Sequence, residues 1–152
     1  MRCLVALLLV GSVAAAEPTK EQVREAAEKL RGEWRCDDGP MVARGADQRL
    51  NFVNLVVTFQ GDTGGFATRN PKDPDEFAPV ASAEIRLDPT ATPARMDLTL
   101  NYLGEEDKRL AIYKVEGDTL TICWGKTRPT QFKAGDGDGA GSYLFVFKRV
   151  KR

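Results

Sequence analysis

At 152 residues, with 22 basic and 22 acidic side chains, the chain has the length of one domain and no net charge. That balance excludes the basic footprint of a nucleic-acid binder and of a polybasic membrane contact. The complete lack of histidine excludes Ser-His-Asp and Cys-His nucleophile systems and any His-ligated zinc or iron site. Carboxylate chemistry, an oxygen-ligated cation or no catalysis remain, and the expectation is a protein that is not an enzyme and needs no cofactor or metal.

Residues 1–16 have the form of a secretory signal peptide. Arg2 precedes the apolar run 4–10, and Ala14-Ala15-Ala16 supplies an A-x-A cleavage signal before Glu17. The run is too short for a permanent membrane span, so no stable insertion is expected. Cys3 lies ahead of the run, where a lipid-bearing cysteine would not sit. The expected product is an exported protein, periplasmic or extracellular, with one domain over residues 17–152.

A helix is expected at about residues 19–31. Thr19 is its N-cap, Gln22 completes a capping box, and Val23, Ala26, Ala27 and Leu30 share a face that Gly32 ends. The apolar stripe is narrow, so the helix lies outside a sheet or plugs one end of it. Strands begin at about residue 33. Residues 37–49 are polar and read as a long loop. Residues 50–60 are rich in β-branched and aromatic side chains without clean alternation, which implies a bulge or burial on both faces. A short strand is expected at 66–69 and a loop over 70–79, because Asn70-Pro71-Lys72-Asp73-Pro74-Asp75 is turn chemistry.

Residues 80–87 and 95–103 are the next strands, and in the second Met96, Leu98, Leu100 and Tyr102 share a face. Gly104-Glu105-Glu106-Asp107 reads as a turn. Residues 109–125 form a hairpin about Gly117, with Leu120, Ile122 and Trp124 pointing one way and Thr119, Thr121 and Cys123 the other. After a Pro/Gly/Asp-rich connection, residues 142–150 place Tyr143, Phe145 and Phe147 on one face. Seven or eight strands joined mostly by short turns must bury one face. An up-and-down barrel or a two-sheet sandwich does so, and closure also removes sheet edges.

Beyond Cys3, two cysteines remain. Cys36 and Cys123 each lie in a strand near a tryptophan. They form a disulfide if the first and seventh strands approach, and are otherwise two separate buried thiols.

Gly32-Glu33-Trp34, placed after a short helix and before an all-β chain, resembles the G-x-W that opens lipocalin-like barrels. The resemblance implies a basic residue of the last strand, Arg149 or Lys148, packed over Trp34. A wider set of motifs runs in order: Leu30-x-Gly32-x-Trp34, Leu87-Asp88-Pro89-Thr90 through Leu98, Ile112 through Leu120, Cys123-Trp124-Gly125, Arg128-Pro129-Thr130-Gln131-Phe132 and Leu144 through Arg149. This set resembles a planctomycete family of uncharacterised exported lipocalin-like β domains. That likeness implies fold and compartment, with no established activity and no catalytic residues to carry over.

The candidate sites each have a functional and a structural reading. Trp34, Tyr102, Tyr113, Trp124 and Phe145 line a ligand cavity or fill a barrel interior. Arg128 and Phe132 grip an anion at a barrel mouth, or brace a loop with Arg128 paired to a surface acid and Phe132 packed inward. The 135–139 run fails the calcium-loop pattern, since Ala140 and Phe147 stand where ligands belong. Asp73, Asp75 and Glu76, like Glu105-Glu106-Asp107 beside Lys108-Arg109, read as solvated loops. The expected fold is therefore an antiparallel up-and-down, lipocalin-like barrel of seven to eight strands with one N-terminal helix. The expected role is a binding module holding a small apolar ligand against Trp34 and Trp124. The alternative is a filled barrel whose loops at 37–49 and 70–79 meet another exported protein.

Overall fold

The computed structural model describes residues 16–36, 41–42, 54–70, 72–134 and 142–151. The expected signal peptide up to residue 15, nearly all of the 37–49 loop and the 135–139 run lie outside the described residues. Helix α1 spans Lys20–Leu30. The expected capping box is present: the Thr19 hydroxyl accepts from the Gln22 amide at 3.2 Å, and the Gln22 side chain accepts from the Thr19 amide at 2.8 Å. Ala26 and Leu30 are buried, while Val23 and Ala27 pack against the same core. Gly32 (φ +114) then swings the chain into the sheet, a backbone conformation that a side chain makes costly.

Nine strands are described: β1 Gly32–Cys36, β2 Met41–Val42, β3 Leu55–Gln60, β4 Thr63–Asn70, β5 Asp73–Asp88, β6 Arg95–Tyr102, β7 Glu105–Glu116, β8 Thr119–Gly125 and β9 Tyr143–Arg149. Every pairing is antiparallel, and strands follow one another in the order β1-β3-β4-β5-β6-β7-β8-β9. The sheet closes on itself through Trp34↔Arg149 and Arg35↔Lys148, giving an eight-stranded barrel, and the two-residue β2 adds to β9. The fold class is thus an all-β up-and-down barrel with one helix. Closure pairs strands that would otherwise be sheet edges.

The expected alternation holds in β6, β8 and β9, whose inward residues Met96, Leu98, Leu100, Leu120, Ile122, Phe145 and Phe147 all belong to the core. In β3, Leu55, Val56 and Val57 are all buried, which accounts for its unbroken apolar run.

Two expectations are corrected and one open alternative is decided. The 66–69 strand is β4, twice as long, and residues 73–79 of the expected loop belong to β5. The first nine residues of β5 have no β6 partner, because the β5–β6 register begins at Ser82↔Asn101. Proline is tolerated in such a one-sided ribbon, and the register shift between Phe66 and Ala67 adjusts the ladder beside Pro79. Second, the β6–β7 turn is made by Leu103 (φ 52) and Gly104 (φ 86), so Glu105-Glu106-Asp107 opens β7. A two-residue hairpin with positive φ at both central positions matches strand twist. Of the two readings left open for the cysteines, the structure has separate buried thiols: Cys36 and Cys123 are not bonded to each other. Cys36 sits in the interior core, whereas Cys123 has the opposite parity to inward Ile122 and Trp124 and lies on the outside of the wall. Side chains on opposite faces cannot meet the geometry of a disulfide.

Candidate functional site at the open end of the barrel

The two ends of the barrel differ. At the helix end, Leu30, Trp34, Phe59, Leu120 and Phe147 are buried together. Trp34 is 0% exposed, and its indole N–H donates to the Leu30 carbonyl at 2.7 Å. Arg149 takes the place over the tryptophan, its guanidinium carbon 4.0 Å from the ring centroid. The same guanidinium donates to the carbonyls of Arg31 and Lys29, both at 2.7 Å. One cation therefore stacks on Trp34 and satisfies helix C-terminal carbonyls. Trp34 is a plug, not a ligand wall.

A column of aromatic rings then fills the axis. Centroid distances are 5.8 Å for Phe147–Phe145, 4.5 Å for Phe145–Trp124 and 5.6 Å for Trp124–Phe66. Tyr113 is buried in the interior, where desolvation, with the charge of Asp88, pushes its hydroxyl up to about 12.

Among the described residues, the far end is open. A cavity of about 370 Å³ has an apolar floor of Leu55, Phe66, Leu100, Trp124 and Tyr143, with Tyr102, Glu105 and Glu106 at its margin. Of the expected ligand walls, Trp124 and Tyr102 line this cavity; Trp34, Tyr113 and Phe145 do not. Its third component is a charged group on one wall. Counting back from inward Tyr113 by twos reaches Arg109 and Asp107, and counting on from Trp124 reaches Lys126. All three line the cavity. Asp107 Oδ2 accepts from Arg109 Nε at 2.8 Å and from Nη2 at 2.6 Å, and its Oδ1 accepts from Lys126 Nζ. Burial pushes the Asp107 pKa up, but the hydrogen bonds and charges of Lys126 and Arg109 together outweigh it, so the carboxyl titrates below its ordinary value.

This group corrects the reading of Glu105-Glu106-Asp107 and Lys108-Arg109 as a solvated loop. Turn placement hid it: moving the turn back to Leu103-Gly104 puts these residues on a strand, where alternation aims Asp107 and Arg109 inward. Arg128 and Phe132 are elsewhere. Beyond Lys126 the chain runs across the outside of β7 and β8 as far as residue 134, with Arg128 donating to the Ala111 carbonyl at 2.7 Å and paired with Asp97. Lys114 Nζ lies 5.4 Å from the centroid of the half-buried Phe132 ring. Beneath this strap, Ile112 and Cys123 face each other across the two strands and are buried. Burial raises the Cys123 thiol pKa, and its Sγ donates to the Lys133 carbonyl at 3.5 Å. The structure therefore gives Arg128 and Phe132 bracing positions outside the barrel.

At the Asp88 turn, the side chain accepts from the Thr90 amide and hydroxyl, as local bracing requires. Among the described residues no helix is long and apolar enough to cross a membrane, and no three metal-ligating side chains converge. No family model, curated protein or solved structure matches the chain.

Proposed function

We propose that this is an exported, non-enzymatic binding protein that takes the apolar part of a small ligand into the open end of its barrel. The observation that carries the reading is the 370 Å³ cavity, floored by Trp124, Phe66 and Leu100 and bordered on one side by the charged side chains of Glu105, Glu106, Asp107, Arg109 and Lys126. Concave sites of this size that pair an apolar floor with convergent polar groups are the usual form of small-molecule pockets. The packed helix end makes the site shallow, so a ligand would rest on the Trp124 ring. The placement of Gly32, Trp34 and Arg149 supports the lipocalin-like resemblance on which the reading also draws.

A second reading is a protein-interaction domain. Phe77, Tyr102 and Leu103 are exposed apolar side chains on strands and turns at the open end, and favour a contact there. Tryptophan fluorescence separates the two. Ligand entry should perturb Trp124 and leave buried Trp34 silent, so a Trp124→Phe variant should lose the response. If no lipophilic probe alters the emission, and native mass spectrometry of protein from its own compartment finds no added mass, the carrier reading fails.

A further inference from the structure

The charged group in the cavity wall is out of place for a purely apolar pocket. Arg109 stands at an inward strand position, its side chain only 15% exposed. A guanidinium has five N–H donors. Asp107 accepts from Nε and Nη2, and among the described residues Nη1 donates to no protein acceptor. That edge keeps contact with solvent, since Arg109 Nη1 is not among the buried atoms left without a partner, so an acceptor entering the cavity can reach it. Asp107 itself is fully engaged, each oxygen holding a cation. Within this triad two cations surround one carboxylate, and Arg109 is the cation held on the inner wall, while Lys126 stands exposed at the mouth. Glu105, Glu106 and Lys126 are all exposed, where water and salt weaken their fields, so the half-buried Arg109 is the charge least screened.

Resting on the binding reading above, we propose that the cavity selects apolar ligands bearing one anionic oxygen head, a carboxylate foremost, and that Arg109 and Lys126 read that head. The chain lies on Trp124, Phe66 and Leu100. The head takes the open Nη1 edge of Arg109 and the remaining ammonium donors of Lys126, a charge-assisted contact that a neutral head makes weakly.

The test compares decanoate, decanol and decylamine, monomeric and at neutral pH, by Trp124 fluorescence. Decanoate should bind about tenfold or more tightly than decanol, the ratio expected of one charge-assisted contact. Arg109→Gln should erase that preference. Lys126→Met, at a half-exposed site, should reduce it severalfold. Equal affinity for decanoate and decanol overturns the head-group inference and leaves the cavity reading standing. Tightest binding of decylamine overturns it too and moves the head site to Glu105 and Glu106. Binding of none of the three defeats both.

Discussion

Arg149 links three parts of the chain through one side chain. It stacks on Trp34, holds two carbonyls at the end of α1 and belongs to the strand that closes the barrel. Arg149→Met keeps the stem and removes the rest, so about 2 kcal/mol of stability should be lost in urea denaturation. Leu103 presents the opposite case. It occupies a left-handed conformation and is 88% exposed. Leu103→Asn should stabilise the protein by about 1 kcal/mol, because asparagine tolerates that conformation and no packing is given up.

Titration carries signs that follow from surroundings. The Asp107 carboxyl is depressed, so its ion pairs add stability above the ordinary value of 3.8 and lose it as pH falls through the lower folded value. The stability gap between the protein and Asp107→Asn should accordingly be constant at neutral pH and close in acid. Tyr113 is raised to about 12 from 10.0, so the folded state holds its proton longer. Stability should fall as pH rises from 10 towards 12, and Tyr113→Phe should flatten that limb of the pH–melting curve.

Among the elements, the strap at 127–134 is the one whose role depends on what it covers. It buries Ile112 and Cys123 on the outer wall, giving the barrel a small second apolar layer. Cys123 should therefore resist a thiol reagent in the folded state. Arg128→Ala removes the anchor to Ala111 and Asp97 and should speed labelling severalfold with little change in global stability. An unchanged rate would mean that the strap stays down without Arg128. The hairpin of β7 and β8 was legible residue by residue, since Gly117 marks its turn and Leu120, Ile122 and Trp124 alternate without a break. The ribbon of β4 and β5 was not. Its prolines and aspartates carry turn propensity, and pairing on one side only is what lets them remain in a strand.

For the molecule as a whole, closure decides the site. An open meander of these strands would expose both edges, and α1 would have no barrel end to fill. Closing β9 onto β1 instead makes one end a packed plug around Trp34 and leaves the other a cavity over Trp124. The sequence by itself determined the all-β class, the capped helix, the inward faces of β6, β8 and β9, and the absence of histidine chemistry. Each of these depends on neighbours a few residues apart, where periodicity and turn chemistry act directly. Only the tertiary structure decided that Cys36 and Cys123 face apart, that Arg128 and Phe132 brace the outer wall, and that Asp107, Arg109 and Lys126 meet inside the mouth. Those outcomes turn on strand register. A turn shifted by a few residues moves charged side chains from solvent to the interior, and only the pairing of distant strands sets where it falls.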